Sequence, residues 1–85
     1  MNAINKIIDQ LKRDNQYYAY YSNPENKTNY MIYFGADYKT AIVRTIQDGK
    51  KRGTATVEEF IKVVNKYNYP LTEEQFYDSI KRKSY

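Results

Sequence analysis

The sequence predicts an α+β fold: an N-terminal helix, a tyrosine-rich antiparallel β-hairpin, a candidate third strand at 39–47, and then two or three C-terminal helices, all within one small domain spanning 1–85. Three observations carry this expectation. Apolar residues recur at helical spacing near the N-terminus, two β-forming tyrosine stretches flank a turn-forming segment, and two capping boxes introduce apolar stripes in the last third of the chain.

In the first segment, 2–14, Ile4, Ile7, Ile8 and Leu11 fall at i, i+3, i+4 and i+7, with Lys6, Asp9, Lys12 and Arg13 elsewhere on the wheel. That is an amphipathic helix, for which Asn2 is the natural cap. Gln16 to Ser22 (QYYAYYS) and Asn29 to Phe34 (NYMIYF) are rich in β-forming residues, and alternation puts Tyr30, Ile32 and Phe34 on one face. The polar stretch between them holds Pro24 outside the ladder, and Gly35 ends the second strand.

Residues 37–51 carry two signals. Tyr38, Ala41, Ile42, Thr45 and Ile46 form a helical stripe that Asp37 could cap and Gly49 or Gly53 could end, while the β-branched run TAIVRTI suits a third strand. The helix is the preferred reading, with Val43 the one large apolar residue off the stripe. Beyond it, Thr56 and Glu59 form a capping box before Val57, Phe60, Ile61 and Val64, giving a helix to about Tyr67. After the break at Asn68-Tyr69-Pro70, Thr72 and Gln75 repeat the box, and Leu71 with Phe76 makes a hydrophobic staple for a last helix reaching about Arg82.

Composition narrows the chemistry. The 85 residues include no histidine and no cysteine, so imidazole bases, thiol nucleophiles, disulfides and zinc–thiolate sites are excluded. The adjacent acids Glu58–Glu59 and Glu73–Glu74 sit in first helical turns, where they complement the helix dipole. No nucleophile elbow, phosphate-binding glycine loop or calcium-loop spacing occurs. The expectation is a non-enzymatic protein with no cofactor and no metal. Absence of cysteine suits a reducing, cytoplasmic setting, and no apolar run approaches the roughly 20 residues of a membrane span.

The candidate binding residues are cations and rings. Net charge is +4, and Lys50, Lys51 and Arg52 lie together between Gly49 and Gly53, where they can contact phosphates. Lys81 and Arg82 could extend that basic surface. On the first strand, Tyr17 and Tyr21 face opposite to Tyr18 and Tyr20, so either one pair is exposed or helices cover both faces. Tyr18 and Tyr20 are the candidate stacking platforms for bases. The leading expectation is therefore a nucleic-acid or nucleoprotein binder. The alternative is a protein–protein interaction module of phage or mobile-element type, such as an anti-defence inhibitor or adaptor of a host enzyme. Small size and a residue usage rich in Tyr, Lys, Ile and Asn, all AT-rich codons, suit that alternative.

Two resemblances are local. The stretch TVEEFIKVVNKYNYPLTEEQFYDSI, Thr56 to Ile80, resembles the paired capped helices of Nif11-type leader peptides, but the chain has no Gly-Gly pair at which such leaders are cleaved. MNAINKIIDQLKRD and EEQFYDSIKRKS resemble stretches of small phage inhibitors of Cas9. Those inhibitors imitate DNA with acidic surfaces, and this chain is basic.

Overall fold

The computed structural model describes residues 3–81. In chain order the elements are α1 (Ala3–Asp14), β1 (Tyr18–Asn23), β2 (Thr28–Phe34), β3 (Ala41–Gln47), β4 (Lys50–Ala55), α2 (Val57–Tyr67), β5 (Pro70–Leu71) and α3 (Glu73–Lys81). The strands form one antiparallel sheet in the order β4-β3-β2-β1-β5, so the fold is α+β with helices on both sheet faces.

Local chemistry fixes each joint. Helix α1 stops because Asn15 turns left-handed (φ 55°) and two backbone bonds close the end, Gln16 N–H to Leu11 O at 2.9 Å and Asn15 N–H to Lys12 O at 3.3 Å. This is a Schellman closure with asparagine in the position glycine usually takes. The cap proposed at Asn2 lies outside the described residues. Between β1 and β2, the Asn23 carboxamide accepts from Glu25 N–H and that of Asn26 from Thr28 N–H, both at 3.1 Å, which folds the loop around Pro24.

The preference for a helix over 37–51 is overturned. Residues 41–47 form the strand that was the weaker reading, and 50–55 form a further strand that the helical stripe concealed. The cause is the Asp48-Gly49 pair, which holds φ 52° and 80° and joins β3 to β4 as a two-residue hairpin turn. Once the segment is extended, period two replaces the helical period: Ala41, Val43 and Thr45 face one way and Ile42, Arg44 and Ile46 the other. Val43, off the helical stripe, is 2% exposed at the centre of the core.

The second capping box forms in full and the first only through its threonine. Thr56 Oγ accepts from Glu59 N–H at 3.1 Å to start α2, and Asn68 ends it at φ 44° with its N–H on Val64 O. Thr72 and Gln75 are reciprocal, Gln75 N–H to Thr72 Oγ at 3.1 Å and Thr72 N–H to Gln75 Oε at 3.0 Å. The break before them is itself a two-residue strand, with Leu71 opposite Tyr20 and Pro70 opposite Tyr21.

The two sheet faces are filled unequally. On the first, Ile7 and Leu11 of α1 and Phe60 and Val64 of α2 pack over Tyr30, Ile32, Phe34 and Val43. On the second, among the described residues α3 alone provides cover, laying Phe76 and Ile80 over Tyr20, Met31 and Ile46. This asymmetry produces the candidate site.

Candidate functional site

Cross-strand register lays out the second face in rows. Tyr18, Tyr33 and Ile42 form one row, Tyr20, Met31, Arg44 and Thr54 the next, and Asn29, Ile46 and Lys51 another. Helix α3 seals Tyr20, Met31 and Ile46, which are 4–7% exposed, whereas Ile42 stands 56% and Tyr33 37% exposed. Between α3 and the β3–β4 side of the sheet runs a groove of about 520 Å³. Its floor and inner wall are apolar, from Met31, Ile42, Ile46, Phe76 and Ile80, and its rim carries Arg44 and Lys51.

The rim is cationic and unneutralised. Among the described residues no carboxylate lies within ion-pair distance of Arg44 or Lys51. The Arg44 guanidinium carbon sits 5.9 Å from the centroid of the Tyr33 ring, so one face of that ring is occupied by a cation. On the far wall Tyr77 is 40% exposed and contacts Tyr20 edge-on at 6.1 Å.

The residues picked out from the sequence are distributed differently from the expectation. Lys50, Lys51 and Arg52 are exposed, yet they belong to the edge strand β4 and not to a loop at a helix end. Lys51 is opposite Ile46 and so borders the groove, Lys50 is opposite Gln47 on the other face, and Arg52 falls in the bulge that Gly53 (φ 121°) allows. Tyr20 is not a free platform: it is 6% exposed and its ring stacks on Phe76 at 4.6 Å. Burial, with a hydroxyl hydrogen bond to Tyr77, pushes its pKa well above the usual tyrosine value. Tyr18 is half-buried with its ring 5.6 Å from that of Tyr20.

Tyr18 on β1 and Lys51 on β4 share a face but are three strands apart, about 14 Å at the usual strand spacing. The cations and the stacking rings therefore do not form one compact site. Lys81 is exposed at the end of α3, and Arg82 lies outside the described residues. The residues missed from the sequence are Ile42, Arg44, Tyr33 and Tyr77. Reading 41–47 as a strand would have exposed the first two, because an isoleucine and an arginine alternating against Ala41 and Val43 mark an outward, partly apolar face.

No buried side-chain polar atom among the described residues lacks a hydrogen-bond partner, and no three His, Cys, Asp or Glu side chains are grouped to hold a metal. No helix among these residues is long and apolar enough to cross a membrane. Comparison with protein-family models, with curated proteins and with solved structures finds no match to this chain.

Proposed function

We propose that this chain is a non-enzymatic protein-interaction module that docks a partner on the half-covered sheet face. The observation that carries the reading is the groove between α3 and the β3–β4 side, with Ile42 56% exposed on its floor and two cations on its rim. An apolar cleft ringed by polar groups is what an anchor side chain needs, since the anchor is desolvated at the centre while charges at the rim set orientation. A role as inhibitor or adaptor, acting by occlusion, suits a small domain whose main offering is a surface.

The second reading is nucleic acid, supported by Lys50, Lys51 and Arg52 aligned on one exposed strand beside Arg44. Phosphate contacts need such cations, and base stacking also needs free ring faces. Tyr20 lies under Phe76 and Tyr33 under Arg44, so the aliphatic groove favours a protein.

The test uses the full chain and its Ile42→Asp variant as baits in nuclease-treated lysate, with labelled DNA and RNA titrated in parallel. The wild type should retain a discrete protein that the variant loses by about 30-fold, the effect of a 2 kcal/mol anchor. Equal retention by both proteins would remove the groove from consideration. Tight, salt-sensitive binding of nucleic acid by both would select the second reading.

A further inference from the structure

We infer that the partner's contacting element is an amphipathic α-helix with an acidic flank, laid beside α3 on the open half of the sheet; this rests on the protein-interaction reading. The first argument is one of space. Four strands, β1 to β4, span about 14 Å between the outer strand axes, and neighbouring helices pack about 8–10 Å apart, so each face seats two helices side by side. The first face has both, α1 and α2, whereas among the described residues the second has α3 alone.

The vacant seat has a helix-compatible lining. Ile42 and the groove beyond it form the floor, and Tyr77 and Ile80 of α3 form the wall against which a neighbouring helix would pack. Residues one helical turn apart on the incoming element would meet these apolar groups in succession.

Charge selects the flank. Lys51 and Arg44 border the seat, and among the described residues no acidic side chain lines the groove. Glutamates or aspartates on the side of the helix turned toward β4 would meet these cations, while a basic helix would be repelled. The same charges disfavour a second copy of this chain, which would bring its own Arg44 and Lys51 to the contact. An extended peptide added to the β4 edge is disfavoured by the bulge at Arg52–Gly53, which interrupts the regular row of backbone donors and acceptors.

The experiment titrates isotope-labelled full chain with three synthetic peptides of about 14 residues, or four helical turns. One carries leucines at helical spacing with a glutamate flank, the second has lysines replacing the glutamates, and the third has a central proline that prevents the helix. The acidic helical peptide should shift amides of 42–46, 51–54 and 76–81 and gain helicity on binding. Ile42→Asp and Lys51→Glu should each weaken it by about 10-fold, or 1.4 kcal/mol, and the lysine peptide should not bind.

Equal binding of the proline peptide, shifts confined to β4, or no shift with any peptide at about 1 mM, a level that detects even contacts worth 4 kcal/mol, would overturn the inference. These outcomes are separable from failure of the parent reading. If lysate capture depends on Ile42 while the peptides fail, the helix falls and the docking face stands. If capture ignores Ile42, both fall.

Discussion

Replacing Phe76 with alanine should release α3 from the sheet without unfolding the rest of the domain. Phe76 is fully buried, and it stacks on Tyr20 at 4.6 Å within a cluster of four buried residues that is separate from the larger core. Removing such a ring costs about 3–5 kcal/mol. What then holds α3 is the half-buried Ile80, worth at most about 1.5–3 kcal/mol if it were fully buried, together with the edge-on contact of Tyr77 on Tyr20, a ring pair worth about 0.5–1.5 kcal/mol. The helix has nine residues, short of the roughly 12–15 at which isolated helices become even marginal. The penalty is therefore as large as all that anchors this one element, while Phe60, α1, α2 and the Ile32–Val43 core are untouched.

Hydrogen exchange of the variant should show protection lost across 73–81 and kept in α1 and α2, with about a quarter of the helical ellipticity gone. Tyr20, uncovered, should titrate near the ordinary value of about 10. Phe60→Ala, of similar cost but in the larger cluster, should instead lower the melting temperature of the whole domain. If Phe76→Ala keeps 73–81 as protected as α1 and melts like Phe60→Ala, the two clusters are one cooperative unit and the reasoning is wrong.

Two further outcomes follow from the same structure. Gly49→Ala places a side chain at φ 80° in the two-residue turn and should cost about 1–2 kcal/mol, read as a lower midpoint in urea with unchanged slope; an unchanged midpoint would mean the turn does not set the β3–β4 register. Burial holds the hydroxyls of Tyr20, Tyr21, Tyr30 and Tyr38 above the usual tyrosine pKa. The neutral forms are thus favoured by folding, and this stability is complete below the unfolded value of about 10 and is lost as pH rises through the folded values. Melting temperature should fall steeply above about pH 10, and less steeply in Tyr20→Phe, whereas a melting temperature flat through that range would contradict the burial of these hydroxyls.

Much of the fold was legible because several segments carry a local signal that tertiary packing reinforces. The α1 stripe, the Thr56 cap, the Thr72–Gln75 box and the Leu71–Phe76 staple each appear where the spacing places them. Tyr30, Ile32 and Phe34 share the core face as alternation requires. Residues 37–51 failed because β-branched and apolar residues there satisfy two periods at once. The sheet buries both its faces over Val43 and Ile46, so a strand covered on two sides mimics a helical stripe. Asp48-Gly49, a strong hairpin signal, also fits the glycine end of a helix. The site was less legible still. Whether Tyr20 or Tyr33 is free depends on where α3 crosses, a fact that no local pattern of either strand contains.

On the docking reading, the basic edge strand sets the exposed apolar groove against further copies of the same chain. An uncovered sheet edge next to Ile42 and Tyr77 is a template for unwanted pairing, and sheets commonly guard such edges with lysine and with bulges. Here Lys50, Lys51, Arg52 and Gly53 provide both. Guarding by charge, unlike guarding by bulk, acts according to the sign of what approaches. A second copy presents the same cations and is repelled, whereas an acidic surface meets no such barrier and gains from the Arg44 and Lys51 rim. On the docking reading, the cations that the sequence marks as phosphate contacts thus serve as a filter on protein partners, while the recognition energy comes from the apolar floor beside them. The split follows from placement. Charges on an exposed edge are screened by salt and chiefly steer encounter, and an isoleucine beside a cleft gains its full value when it is desolvated.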